Sequence, residues 1–130
     1  MSPKEFMQTI YLGDRDCKSI LIDGWNNEVK IKITCISRVR SDAWDFYTDE
    51  DLDDGKLVFT GVKSVLISPP GCIPNSYIDV ISVEELADSL SEVVFSVGAH
   101  DGAGGTVLAN LSIRAKQLHL EDNAGRKIES

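Results

Sequence analysis

Seven carboxylates fall within thirteen residues at positions 42 to 54, "DAWDFYTDEDLDD", together with Trp44, Phe46 and Tyr47 and no basic residue. Carboxylates at this density can wrap a hard cation, dock a cationic surface, or stay in water. Asp49, Asp51 and Asp53 have the alternate spacing with which a calcium loop begins. The match stops there. Asp54 takes the place of the required glycine, which comes one residue late as Gly55, and Thr60 stands where a bidentate glutamate closes such a loop. Docking is the better chemical reading, because rings set between acids supply desolvated anchors while the acids steer a basic partner. The predicted partner-binding residues are Trp44, Asp45, Tyr47, Asp49, Glu50, Asp51, Asp53 and Asp54. Of the neighbours Phe46 and Tyr47 one is expected to face inward, since adjacent side chains on an extended chain point to opposite faces, and Trp44 is the better anchor.

Other reactive residues form no catalytic constellation. His100 and Asp101 are adjacent, so on a strand they point apart, and no nucleophile motif accompanies them. "GAHDGAGG" lacks the P-loop lysine and lies between two apolar alternating runs, which makes it a hairpin loop and not a phosphate cradle. His119 alternates with Leu118 and Leu120 and is expected at the surface. No catalytic residue, metal ligand set or cofactor is nominated, so the expectation is a binding protein and not an enzyme. Cys17, Cys35 and Cys72 are odd in number with no CxxC pair, as expected for reduced, buried thiols.

Charge narrows the partners. The net charge is −8, but outside residues 42–54 fourteen acids face thirteen bases, so the acidity is local. That balance argues against binding nucleic acid, which needs clustered Lys and Arg. Lys30, Lys32, Arg38 and Arg40 form one basic row on alternate positions, expected to be solvated or paired with the acids that follow. The first thirteen residues, "MSPKEFMQTIYLG", carry no basic flank followed by an apolar run, and no stretch reaches membrane-spanning length. The expectation is a cytoplasmic protein with no membrane partner.

These residues must be held by strands. "VKIKITCISRVR" alternates throughout and predicts one half-buried strand, paired antiparallel with "CKSILID" through the turn "GWNNE". Trp25 in that turn is a second aromatic candidate, either exposed or folded back over the sheet end. Phe6 to Leu12 reads as a further strand, and "KLVFTGVKSVLIS" as one strand interrupted at Gly61. Pro74 with Tyr77, Ile78 and Ile81 predicts a short helix, and "SVEELADSL" fits helix or loop. "EVVFSVGA" and "TVLANLSIRA" predict a hairpin, and "KQLHLED" a last strand. The sum is a single β-rich domain over residues 1–130: mainly β, an antiparallel β-sandwich or partly open barrel of six to eight strands with one short helix.

"LVFTGVKSVLI", with Phe59, Gly61 and Val62 as an F-x-G-V pattern, the break "PPGCIPN" and the closing "LSIRAKQLHLED" together resemble small bacterial immunity proteins encoded beside polymorphic toxins, or a related uncharacterised bacterial family. The resemblance covers residues 28 to 122 and implies a compact, non-catalytic protein that neutralises a cognate toxin by covering a necessary surface. The residue-level alternative is a calcium- or small-ligand-binding β domain that uses the same acids.

Overall fold

The computed structural model describes residues 2–38 and 51–128. In chain order these form α1 (Pro3–Met7), β1 (Ile10–Tyr11), β2 (Cys17–Asp23), β3 (Glu28–Ile33), β4 (Cys35–Arg38), β5 (Leu52–Asp53) and β6 (Lys56–Thr60). There follow β7 (Ser64–Ser68), β8 (Ile73–Glu85), β9 (Ser91–His100), β10 (Thr106–Ala115), β11 (Gln117–Glu121) and β12 (Lys127–Ile128). Three antiparallel sheets result: β12-β11-β6-β3-β2, β7-β10-β9-β8, and the small β1-β4-β5. Among the described residues the fold is mainly β and sandwich-like, as the sequence predicts, with one short helix and no closed barrel. It has twelve strands where six to eight are expected, because two predicted strands are each divided between sheets and the two-residue strands β1, β5 and β12 carry no alternation of their own.

The core lies between the two larger sheets and is built by alternation. Val29, Ile31 and Ile33 of β3, Leu57 and Phe59 of β6, Val93, Phe95, Val97 and Ala99 of β9, and Ala109, Leu111, Ile113 and Ala115 of β10 are all buried. Phe59 and Phe95 meet edge to face across the sheets, with ring centroids 6.1 Å apart and planes at 86°. That geometry sets a ring's positive edge against its neighbour's negative face.

Four local expectations are corrected. The helix is at the N-terminus, where a strand from Phe6 to Leu12 is expected: Ser2 Oγ accepts the Glu5 N–H at 3.2 Å and donates to Glu5 Oε1 at 3.1 Å, with Pro3 opening the first turn. This is the N-cap half of an S-x-x-E capping box, with the Glu5 carboxylate meeting the Ser2 hydroxyl, and it starts a helix that apolar parity alone does not show. Residues 74–81 form no helix but part of β8, hydrogen-bonded along β9. Irregularities between Pro74 and Ile78 and between Val80 and Ser82 shift its register, which erases the two-residue period; Pro74 is tolerated because β8 is an edge strand.

"VKIKITCISRVR" is two strands, not one. β3 joins the five-stranded sheet and β4 the small sheet, and parity flips at Thr34, so Ile36, Ser37 and Arg38 are buried. The expected basic row is therefore broken, with Lys30 and Lys32 outward and Arg38 inward. "KLVFTGVKSVLIS" likewise divides between two sheets. Gly61 makes the corner at φ +61°, and Lys63 then donates its N–H to the Arg114 carbonyl at 2.8 Å.

Candidate functional site

Residues 42–54 join the described fold through the small sheet. β4 leads into the segment and β5 receives it, with Cys35 opposite Asp53 and Ile36 opposite Leu52. Of the predicted site residues, Trp44, Asp45, Tyr47, Asp49 and Glu50 lie outside the described residues, as do Phe46 and Arg40. Asp51, Asp53 and Asp54 are placed together at one end of the sandwich.

The backbone brings further acids to them. Thr34 ties the strands: its N–H donates to the Asp16 carbonyl at 3.0 Å, its Oγ1 accepts the Asp16 N–H at 3.1 Å, and its carbonyl accepts the Asp54 N–H at 3.0 Å. Asp16 in turn bridges to Tyr77 of β8, whose hydroxyl donates to Asp79 Oδ2 at 3.3 Å. Asp79 and Asp14 thus lie about the exposed ring of Tyr77, and backbone links through Asp16 and Thr34 tie that ring's strand to the segment that bears Asp54, while the charges of Asp51 and Asp53 act at Cys35. Tyr77 has the electrostatic signature of that setting: desolvation first, then the Asp79 and Asp14 charges, hold its hydroxyl proton on more tightly than usual.

The bases nearby are largely committed. Lys18 Nζ pairs with Asp54 Oδ1 at 2.7 Å and, by donating a hydrogen bond, lowers that carboxyl's pKa. Arg15 Nη2 donates to the buried Ser37 Oγ at 2.9 Å, and Arg38 is buried. The outward lysines of β3 divide: Lys30 Nζ contacts both oxygens of Glu121 at 3.2 and 3.1 Å, on another strand, while the Lys32 charge adds to that of Lys18 in holding Asp54 ionised. Asp54 is one acid of the stretch that a lysine draws in.

Among the described residues, no group of three or more His, Cys, Asp or Glu side chains is arranged to hold a metal ion. The other reactive residues take structural places. Asp101 Oδ1 accepts the N–H groups of Ala103 at 2.8 Å and Gly105 at 3.1 Å, which organises the β9–β10 loop and lowers the Asp101 pKa. His119 is half-buried beside Glu121, with Nε2 3.8 Å from Oε2, so it is less exposed than its alternation implies. Cys17, Cys35 and Cys72 are free thiols, and burial pushes Cys17 up to about 11.

Residues 1–130 match, from end to end, a family of unknown function, DUF6258. The chain belongs to that family. No curated protein and no solved structure matches this family member.

Sequence reasoning missed two surface features of this DUF6258 protein. Tyr77 and Asp79 were hidden by the assignment of a helix to residues 74–81. The outer edge of β2 is the other: Leu21 and Ile22 are each 58% exposed, beside Trp25 at the β2–β3 turn, which takes the exposed of its two expected places at 94%. The contiguous Ile20, Leu21 and Ile22 were the available signal, since a strand apolar at consecutive positions presents apolar groups to both faces. An open cleft of about 400 Å³ runs beside that edge, lined by Ile20, Ile22, Ile67, Cys72, Ile73 and Pro74.

Proposed function

We propose that this is a non-catalytic protein-binding domain whose acidic end docks on a basic protein partner. The observation that carries the reading is the exposed Tyr77 ring with Asp79 hydrogen-bonded to it and the Asp14 charge beside it, joined through the Asp16 bridge and Thr34 to the strands where the acidic aromatic stretch enters and leaves the sandwich. Charge placed this way raises encounter rates with a cationic surface, and a central ring supplies the apolar anchor that carboxylates lack. Trp44, Asp45, Tyr47, Asp49 and Glu50 extend the same surface in this proposal.

The resemblance to immunity proteins gives the partner a class, a cognate bacterial toxin with a basic cleft, and the free thiols fit a reducing, cytoplasmic setting. Among the described residues no helix is long and apolar enough to cross a membrane. The alternative, calcium or small-ligand binding by the same acids, has no grouping of described ligands behind it.

The test is co-purification of the tagged protein from its own cells, beside a variant carrying Asp14→Lys, Asp53→Lys and Asp79→Lys. Loss of a basic partner from the variant, with circular dichroism unchanged, supports the reading; equal recovery by both proteins removes the acidic end from it.

A further inference from the structure

From the β2 edge we infer a homodimer in which β2 pairs antiparallel with β2 of a second copy. β2 ends the five-stranded sheet, and among the described residues no strand pairs with the outer side of its Ser19–Asp23 stretch. An uncovered edge carrying apolar residues is a template for another strand. The cover missing here is specific: Ile22 lies opposite Val29 on the core side of the sheet yet stays 58% exposed, and Ile73 across the cleft is 55% exposed.

The sequence of the edge selects a second copy as occupant. A twofold axis perpendicular to a sheet pairs residues of like facing, so the centre of symmetry falls on one residue or between two that face the same way. Around Leu21 the strand reads Ser19-Ile20-Leu21-Ile22-Asp23. Leu21 then meets the second copy's Leu21 on the outer face, and Ile20 meets Ile22 twice on the core face. Ser19 stands opposite Asp23, hydroxyl to carboxylate. Each apolar residue of the edge finds an apolar partner, and neither face is inverted.

Area is sufficient. The exposed parts of Leu21, Ile22, Trp25 and Ile73 amount to roughly 600 Å² per copy, and twice that exceeds the ~1,000 Å² of a specific interface. The same register lays Trp25 of one copy beside Lys18 of the other, whose aliphatic stem gives the 94%-exposed ring a surface to cover while its ammonium stays paired with Asp54. Ten strands would run continuously through the pair.

The experiment is sedimentation velocity across a concentration series up to about 1 mM. Wild type is compared with Leu21→Lys, with Leu21→Thr, which keeps strand propensity, and with Leu108→Lys, at a more exposed leucine on β10. The expected result is a wild-type species of twice 14.3 kDa, kept by Leu108→Lys and weakened about 100-fold or more by Leu21→Lys. Because each copy carries −8, added salt strengthens this dimer, whereas it weakens an acid-to-base contact at the other site. In a Trp44→Phe background, Trp25 emission shifts to the blue as the dimer forms. A wild-type monomer at every concentration overturns the inference, as does a dimer indifferent to both Leu21 substitutions. The acidic-end reading survives either result.

Discussion

Replacing Phe59 and Phe95 with leucine, singly and together, tests how the two main sheets are joined. The rings belong to β6 and β9, are both fully buried, and meet edge to face at 6.1 Å. Leucine keeps most of the volume, so each single substitution costs about 1–1.5 kcal/mol. The edge-to-face contact is worth about 0.5–1.5 kcal/mol beyond area burial, and it is lost with either ring. The double variant must then be more stable than additivity predicts by about that amount, since the contact is lost only once. Stabilities come from urea denaturation, with a thermal shift of about 3–5 °C for each kcal/mol at this chain length. Additivity to within ~0.3 kcal/mol would refute the reasoning, because it means the rings do not share an interface.

Three further outcomes follow from particular residues. Gly61→Ala, at φ +61° and with its new Cβ 3.0 Å from Lys116 Cβ, destabilises by about 1–2 kcal/mol, and Gly61→Asn by less, read by the same denaturation. His119 is held below its usual 6.5, first by burial and then by Lys127, so the unfolded chain binds the extra proton at higher pH. Stability therefore falls as pH drops through 6.5 toward the folded value and levels off below it, and His119→Gln flattens that slope in melts between about pH 5.5 and 7.5. Cys17, buried and raised to about 11, resists iodoacetamide until the protein unfolds, while half-buried Cys35 is alkylated first, as peptide mass spectrometry at mild alkaline pH will show.

Much of the fold was legible because alternation is a local property. β9 and β10 repeat buried and outward positions over ten residues each, and the hairpin they form follows directly. Where the backbone departs from a regular pleat, alternation fails. The irregularities in β8 turned a long strand into a helical pattern, and the parity flip at Thr34 joined two strands of different sheets into one apparent stripe. The short helix was announced by Ser2 and Glu5, a capping signal that apolar periodicity does not carry. At the site, the density of acids in residues 42–54 was visible in the chain, and five of the eight predicted site residues lie outside the described residues. Asp14, Asp16 and Asp79 were not foreseeable as their companions, because long-range pairing through Thr34 and Tyr77 gathers them.

The acidic end stands or falls on association kinetics with the partner recovered from the native cell. Wild type and a variant with Asp45, Asp49, Glu50 and Asp53 reversed to lysine would be measured by surface plasmon resonance over a range of salt. The account predicts a wild-type association rate that falls steeply with salt, and a variant at least about tenfold slower at low salt. Equal rates for the two proteins, with the same shallow salt dependence, would contradict it.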